Sequence, residues 1–297
     1  MTPLIEALVR RELGLEARSV TPLVGGQVGH VSRVDTDQGA YVVKFVGARD
    51  EASEPRDDRV YGARWSNLKP AYELLKRGGI ATPTLHASGT LADEGLHFAI
   101  LDFVAGDADD HSDGWFSALG ERLAALHRVT RSFQGWVAMD RPYREPWSVA
   151  FPASFRSVLA QAMPIIGDHL ARAVERRAAD DLAAFTEPPR FVFSHTDGFQ
   201  GLFRKGGDGW TLAGVIDIED HQFTDPRFVL AGLELQHAWA GRALPAAFWT
   251  AYGPTAPDHE RFRALFQLYY LSVWTRVLQG EPGAFARCVK LLETLVG

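Results

Sequence analysis

The chain has 297 residues, which is enough for a large hydrophobic core and, at ~150 residues per domain, for two domains. Apolar residues make up 46% and charged residues 23%, as in ordinary globular proteins, and the net charge of -6 argues against nucleic acid as the main partner. The single cysteine, Cys288, excludes an intrachain disulfide and suits a reducing compartment. The N-terminus lacks a signal-peptide core and no apolar run approaches the ~20 residues of a membrane helix, so we expect a cytoplasmic protein without a membrane partner.

The N-terminal part has the pattern of a helix followed by a small sheet. Apolar residues recur at helical spacing over residues 4–13, and two short strands then flank a turn that contains Gly25 and Gly26. Backbone amides in such a turn can approach phosphate groups, because glycine has no Cβ that would clash. A glycine pair between strands is more often a plain hairpin turn, and the chain has no Gly-Lys-Ser/Thr phosphate loop.

The next strand carries a lysine on an apolar side. Residues 40–46 alternate, and Lys44 falls on the same side as Val42 and Val46. A lysine on an apolar face is costly unless an anion pairs with it, so we expect Lys44 to have an anionic partner. The alternative is a lysine of an edge strand that faces water.

Further along, a helix is predicted to start near Pro70 and to end at the glycine pair 78–79. Residues 96–106 have the pattern of a strand that leads into a linker, and we place a domain boundary near residue 104. The acidic segment that follows is predicted to be a solvated helix entry. The alternative is a rim that attracts a cationic substrate.

The rest of the chain is predominantly helical by its periodicity. Leu119, Leu123 and Leu126 form one stripe of a helix over residues 115–129, with His127 beside it as a structural histidine. The late aromatic residues fit a helical core, and the alternative is a box that binds a quaternary ammonium group by cation–π attraction. These residues are Trp239, Trp249, Tyr269, Tyr270 and Trp274.

The most informative stretch covers residues 191–231. An apolar strand ends in His195, Thr196 and Asp197, and two apolar segments then flank the turn at residues 206–209, which predicts a β-hairpin whose second strand runs into Asp217. If the hairpin forms, Asp197 and Asp217 share one end of a sheet. Two carboxylates at one cavity suit a metal-assisted phosphoryl transfer, whereas either alone could simply cap a turn.

This stretch resembles the catalytic core of the aminoglycoside phosphotransferase and choline kinase-like (APH) enzymes, which are relatives of the protein kinases. The motifs VIDIED and TDPRFVLA are closest to that family. The resemblance implies that Asp197 is the catalytic base and that Asp217 binds Mg²⁺. It also implies that His195 shapes the catalytic loop and that Asp225 supports this loop from behind.

The resemblance extends to the N-terminal part. It implies that Lys44, in YVVKF, pairs with the α- and β-phosphates of ATP, with the turn at Gly25 and Gly26 beside them. Backbone groups of Asp102 and Val104 would bind the adenine ring.

Two features depart from the family pattern. Leu202 stands where the family has an asparagine as second metal ligand, and Gln200 is either a substitute ligand or a surface residue. The lysine of the family also pairs with a glutamate on the following helix. Here Glu73 is the nearest acid and Asn67 the nearest amide, and neither fits, so the partner of Lys44 stays unassigned.

Together these observations predict an α+β, two-lobed protein-kinase-like fold. Residues 1–104 would form a small antiparallel-sheet lobe and residues 105–297 a mainly helical lobe, with ATP between them. The predicted function is ATP- and Mg²⁺-dependent transfer of the γ-phosphate to a hydroxyl of a small molecule. The acceptor is an aminoglycoside, an amino alcohol, a sugar or an amino acid, and a cationic acceptor is compatible with the net charge. The alternative is a catalytically impaired module that binds a nucleotide or a partner. Nothing in the sequence predicts the oligomeric state.

Overall fold

A computed structural model of the protein describes residues 1–23, 29–47, 64–140, 145–195, 199–255 and 258–297. Contacts divide the chain into two units. The first unit comprises residues 1–109 and 200–220, and the second comprises residues 110–199 and 221–297. The antiparallel sheet of the N-terminal region and the helices of the C-terminal region make the protein an α+β structure, as predicted.

The first unit is built on an antiparallel five-stranded sheet with the strand order β1-β2-β3-β5-β4. Its strands are β1 (Ser19–Pro22), β2 (His30–Asp35), β3 (Ala40–Gly47), β4 (Leu85–Leu91) and β5 (Leu96–Asp102). Helix α1 (Thr2–Leu13) ends at Gly14, whose φ of 69° is the left-handed conformation that closes many helices. Ile5, Leu8 and Val9 of α1 pack into one cluster with the buried side chains of the sheet, so this layer has its own core.

Helix α2 (Arg64–Arg77) starts six residues earlier than the sequence pattern indicates. Pro70 lies inside the helix, not in its first turn. The preceding turn is held by tertiary contacts, since Asn67 and Leu68 are both buried. Burial of this turn compensates for the hydrogen bond that Pro70 removes, so the helix extends to the N-terminal side of the proline. The helix start predicted from Pro70 is therefore too late in the sequence.

The predicted hairpin is present as β9 (Gly201–Gly206) and β10 (Gly209–Val215). It belongs to the first unit because its main chain bonds to residues 81–107. The Val215 amide donates to the Ala81 carbonyl at 2.9 Å, and the Asp107 amide donates to the Phe203 carbonyl at 2.8 Å. The Asp107 carboxylate also accepts from the Lys205 amide at 2.8 Å. The sequence-based division at residue 104 differs from this partition, since side-chain periodicity does not show where the edges of a hairpin bond.

The second unit consists of helices around a small sheet. The helices are α3 (Asp113–His127), α4 (Trp147–Ile166), α5 (Asp168–Ala183), α6 (Pro226–Trp239), α7 (Ala246–Tyr252), α8 (His259–Val277) and α9 (Pro282–Val296). The sheet has the order β6-β8-β11-β7, with strands β6 (Thr130–Arg131), β7 (Gly135–Trp136), β8 (Phe191–His195) and β11 (His221–Thr224). Within the described residues, α4 is long and apolar enough to cross a membrane by length and composition. Phe151 and Phe155 of α4 nevertheless lie at the centre of the helical core.

Four of the five late aromatic residues also belong to this core or pack against it, namely Trp239, Tyr269, Tyr270 and Trp274. Tyr270 is buried and stacks on Phe228 with ring centroids 4.4 Å apart. Trp239 meets Trp274 edge to face, and the guanidinium of Arg287 lies over the Trp239 ring. These contacts favour the helical-core interpretation over a box for a quaternary ammonium group.

Candidate active site

Lys44 lies on a central strand of the five-stranded sheet. At this position β3 pairs with Val31 of β2 on one side and with Ala99 of β5 on the other. Its side chain is only 14% exposed. The alternative of a water-facing lysine on an edge strand is therefore wrong, and an ammonium so enclosed requires an anionic partner.

Two carboxylates meet the Lys44 ammonium. The Nζ atom lies 2.9 Å from Oδ1 of Asp217 and also donates to Oε1 of Glu219. Both acids come from the segment that directly follows β10. The acid that the sequence offered on α2, Glu73, is exposed to solvent, so the partner of Lys44 comes from the turn after the hairpin.

The backbone after β10 explains how both acids reach one lysine. Asp217 adopts a φ of 51°, the left-handed region that non-glycine residues rarely occupy and that aspartate tolerates better than most. The Asp220 amide donates to the Asp217 carbonyl at 3.1 Å and closes a short 3₁₀ turn over residues 218–220. Ile218 is buried in this turn, which fixes its orientation. Strain at a non-glycine residue is typical of functional sites.

Helix α2 supports the turn through an amide. Asn67 is completely buried, and its Nδ2 donates to the main-chain carbonyl of Glu219 at 3.3 Å. The sequence pattern indicates Asn67 only as the nearest amide and predicts no role for Glu219. The available signal was an acid two residues after Asp217, next to an apolar residue.

The site carries an excess of negative charge. Burial acts to lower the pKa of Lys44, but the charges of Glu219 and Asp217 outweigh burial and raise the pKa above its ordinary value. Burial and then the same two carboxylates, with Asp102, raise the pKa of Tyr72 on α2. Two carboxylates beside one ammonium thus leave a negative field that suits a cation.

The predicted Mg²⁺ ligands, Gln200 and Asp217, stand just before β9 and just after β10, and their role as metal ligands remains a prediction. The Asp217 side chain is 42% exposed. The main-chain carbonyl of Gln200 accepts from the Ile216 amide at 3.0 Å, so Gln200 and Asp217 both adjoin the open end of the hairpin. Within the described ranges, no cluster of three or more His, Cys, Asp or Glu side chains could form a complete cage. Mg²⁺ usually takes one or two protein oxygens and completes its shell with water and phosphate oxygens, and its binding here remains a prediction.

The Leu202 side chain makes a packing contact and has no atom that could bind a metal ion. Leu202 is part of β9, and its side chain packs closely on Gly106 in the linker, where a Cβ on residue 106 would lie 3.2 Å from the Leu202 Cβ. At the position where the family has an asparagine ligand, this protein therefore has an apolar side chain that packs against the linker.

Gly25, Gly26 and Asp197 lie outside the described residues, so their predicted roles remain predictions. His195 at the end of β8 is buried and packs edge to face on His221 of β11. Because β8 pairs with β11 while β9 and β10 form their own sheet, the expectation that the strands before Asp197 and Asp217 share one sheet is wrong. The hairpin joins β9 to β10 only, and β8 pairs with β11 in a different sheet.

The predicted adenine-binding segment begins at the end of β5. The Asp102 amide donates to the Thr84 carbonyl at 3.0 Å, so this amide already bonds within the sheet. The Asp102 carboxylate lies 2.6 Å from Nε2 of His86. Partial burial opposes its ionisation, yet hydrogen bonds from Thr84 and His86 lower the pKa of Asp102 overall. Val104 lies near Gly214 of β10, and the roles of both residues toward adenine remain predictions.

Asp225 holds the start of α6. Its carboxylate accepts from the Arg227 amide at 2.9 Å, from the Arg227 guanidinium and from Nε1 of Trp147 at 3.1 Å. Arg227 is buried and also donates to Asp258 and to the Thr186 carbonyl. Sequence reasoning missed Arg227, and the predicted support of the catalytic loop by Asp225 remains a prediction because residues 196–198 are not described.

Comparison with known proteins gives the fold an independent basis. Many solved structures are similar to this protein, and the following three match nearly the whole chain. A candidate fructosamine-3-kinase from Haemophilus somnus 129PT is 15% identical with a TM-score of 0.65, and the match covers 99% of this chain and 97% of that chain. A thermostable mutant of the aminoglycoside phosphotransferase APH(4)-Ia, solved with AMP-PNP and hygromycin B, is 14% identical with a TM-score of 0.63 and coverages of 98% and 97%. The spectinomycin phosphotransferase APH(9)-Ia, solved with ADP and spectinomycin, is 13% identical with a TM-score of 0.66 and coverages of 99% and 98%.

At these identities the likeness shows the fold, and the predicted kinase-like α+β class is confirmed. No curated protein matches the sequence. The family model described as the phosphotransferase enzyme family, APH, matches residues 19–265. Because this match spans most of the chain, the protein belongs to the APH phosphotransferase enzyme family.

Proposed function

We propose that the protein transfers the γ-phosphate of ATP to a hydroxyl group of a small molecule in a Mg²⁺-dependent reaction. One observation carries the proposal: Lys44 and Asp217, 173 residues apart in sequence, meet at 2.9 Å. A lysine for phosphates and an acid for the metal are the two charged groups that phosphoryl transfer requires at one place. The solved relatives named with AMP-PNP and ADP add support for a nucleotide.

Each residue has a distinct task in this proposal. Lys44 binds the α- and β-phosphates, with the amides of Gly25 and Gly26 beside them, and the main chain of Asp102 and Val104 orients the adenine. Asp217 and Gln200 supply oxygen ligands. The bound Mg²⁺ would neutralise charge on the β- and γ-phosphates.

Asp197 acts on the acceptor. Its carboxylate orients the hydroxyl and takes the proton as the new oxygen–phosphorus bond forms and the bond between the γ-phosphorus and ADP breaks. The transition state of such a transfer is loose, so positioning and charge neutralisation supply most of the acceleration.

The acceptor class stays open among an aminoglycoside, an amino alcohol, a sugar and an amino acid. The solved relatives are named with hygromycin B, with spectinomycin and as a candidate fructosamine kinase, which are chemically diverse. The net charge of -6 is compatible with a cationic acceptor.

A second candidate function is a nucleotide- or partner-binding module without turnover. The packing of Leu202 on Gly106 favours it, because this position offers no side-chain oxygen for a second metal ion. The presence of both Lys44 and Asp217 in one ionic cluster weighs against it.

The test is a screen of acceptors for ADP release, combined with a thermal-shift titration of MgATP. Asp197→Asn should lower acceptor-dependent ADP release at least about 100-fold while MgATP still stabilises the protein. Asp208→Asn, at the exposed turn of the β9–β10 hairpin, is the control and should keep the activity.

Three outcomes separate the candidates. Unchanged ADP release by Asp197→Asn removes Asp197 from the base role. Stabilisation by MgATP without ADP release on any acceptor favours the binding module. The absence of any nucleotide effect on the wild-type protein overturns the proposed function.

A further inference from the structure

The two carboxylates at Lys44 differ strongly in their access to solvent. The Asp217 side chain is 42% exposed, whereas the Glu219 side chain is 5% exposed. An exposed carboxylate can exchange a lysine for an incoming cation at low cost. An enclosed carboxylate cannot exchange its lysine in this way, because loss of the lysine leaves an uncompensated buried charge.

Glu219 is also anchored through its main chain. It lies within the 3₁₀ turn of residues 218–220, and its carbonyl accepts from the buried amide of Asn67 on α2. Ile218 beside it is buried. The main chain of Glu219 is therefore held by α2, and its carboxylate is enclosed beside Lys44 of β3, whereas the Asp217 side chain is more exposed.

Helix α2 does not supply the acid within its described range of 64–77. Glu73 is its only acidic residue and is exposed, and the buried position that faces the turn is Asn67. In the family pattern a glutamate on the helix pairs with the lysine. In this protein the acid that pairs with Lys44 is Glu219 of the 218–220 turn, and α2 contributes the Asn67 amide, which bonds to that turn.

We propose that Glu219 is the positioning residue for Lys44, which it holds in the phosphate-binding orientation while Asp217 is released to bind Mg²⁺, and that Asn67 fixes Glu219 for this task. The proposal rests on the proposed function in that it assigns Lys44 to the phosphates. Glu219 acts through Lys44 and contacts neither the phosphates nor the metal.

The first arm of the test needs no nucleotide. The unfolding equilibrium of Lys44→Met, Glu219→Gln and the double variant is measured in urea, with Lys44→Met and Asp217→Asn as the parallel cycle. The Lys44–Glu219 coupling should be at least about tenfold in the unfolding equilibrium constant and larger than the Lys44–Asp217 coupling, because only the first pair is enclosed. Additive effects of Lys44→Met and Glu219→Gln would overturn the pairing.

The second arm measures ATP affinity by calorimetry in Mg²⁺ and in EDTA. Glu219→Gln should weaken ATP binding about tenfold in both solutions, and the change should vanish in the Lys44→Met background. Glu73→Gln, on the exposed side of α2, is the matched control and should bind as the wild type does.

Each other outcome has a clear meaning. A loss of affinity confined to Mg²⁺ makes Glu219 a metal ligand. A loss that persists in Lys44→Met shows that Glu219 acts independently of Lys44, and either result overturns the positioning role. Unchanged affinity in EDTA with lowered thermal stability makes Glu219 purely structural and also overturns it. A wild-type protein that binds no ATP overturns the proposed function and the positioning role together, while the nucleotide-free arm still decides whether Glu219 is the partner of Lys44.

Discussion

The Nζ atom of Lys44 and the Oδ1 atom of Asp217 lie 2.9 Å apart, across 173 residues of sequence. The contact joins the central strand β3 to the turn that follows β10, both within the first unit. It also means that a nucleotide phosphate reaching Lys44 has to compete with a carboxylate already there. Cations that neutralise Asp217 should therefore assist the binding of phosphate at Lys44.

Lys44→Met should destabilise the protein, because it leaves the enclosed Glu219 without a counter-charge. Removing one partner of a buried pair typically costs about 3 kcal/mol or more. Urea denaturation without nucleotide measures the change. Lys44→Arg keeps the charge and should recover a substantial part of the loss, and equal stability of Lys44→Met and wild type would show that the pair contributes nothing.

Asp217→Asn should weaken MgATP binding, because the amide is a poorer ligand for Mg²⁺ than a carboxylate. ATP binding in EDTA should be equal or stronger, because the competing carboxylate at Lys44 is gone. Asparagine tolerates the left-handed backbone at φ 51°, so the fold should be preserved. Asp217→Ala removes the ligand and adds backbone strain of about 1 kcal/mol, so it should be less stable than Asp217→Asn. Calorimetry and urea denaturation give the two quantities, and undiminished MgATP affinity of Asp217→Asn would exclude a metal role.

Local patterns were enough to predict the hairpin, the stripe of α3 and the anionic partner of Lys44. A hairpin depends on turn residues and alternation that are adjacent in sequence, and an enclosed lysine requires an anion whatever the fold. These features therefore need no knowledge of distant contacts.

The identity of the partner could not be predicted in the same way. Glu219 is 175 residues from Lys44, and its approach depends on the left-handed conformation of Asp217 and on Asn67 of a different helix. The sheet of β8 was misplaced for a similar reason. Its partner β11 follows Asp217 and carries no turn signal that links the two strands.

Arg227→Met should destabilise the second unit strongly. The Arg227 guanidinium is almost completely buried and bonds to Asp225, to Asp258 and to the Thr186 carbonyl. The substitution would leave the carboxylate of Asp225, also fully buried, without its counter-charge, which typically costs about 3–5 kcal/mol.

Two further variants define the Arg227 experiment. Arg227→Lys keeps the charge but cannot reproduce the forked contacts of the guanidinium. Its free energy of unfolding, measured in urea, should therefore lie between those of Arg227→Met and the wild type. Arg261→Met, at an exposed position of α8, is the control and should change the free energy of unfolding by less than about 0.5 kcal/mol. A loss for Arg227→Met as small as that of the control would contradict the prediction.

The stability of the protein should fall in mild acid because of His127. Its Nδ1 lies 2.8 Å from the Tyr252 hydroxyl, and its Nε2 is enclosed without a hydrogen-bond partner among the described residues. Enclosure of the ring nitrogens lowers the pKa of His127 from 6.5 to about 3, although other parts of the residue reach solvent.

The sign follows from proton binding. Between these two pKa values the unfolded chain binds a proton at His127 and the folded protein does not, so the free energy of unfolding is lost as the pH falls below about 6.5. From pH 7 to pH 5 the loss should be about 1–2 kcal/mol. Urea denaturation at both pH values measures it. His127→Gln should be less stable at pH 7 but should lack this part of the pH dependence, whereas His86→Gln, at a surface histidine, should retain it. An identical pH dependence of His127→Gln and wild type would show that the ring of His127 is protonated in the folded protein as readily as in the unfolded chain.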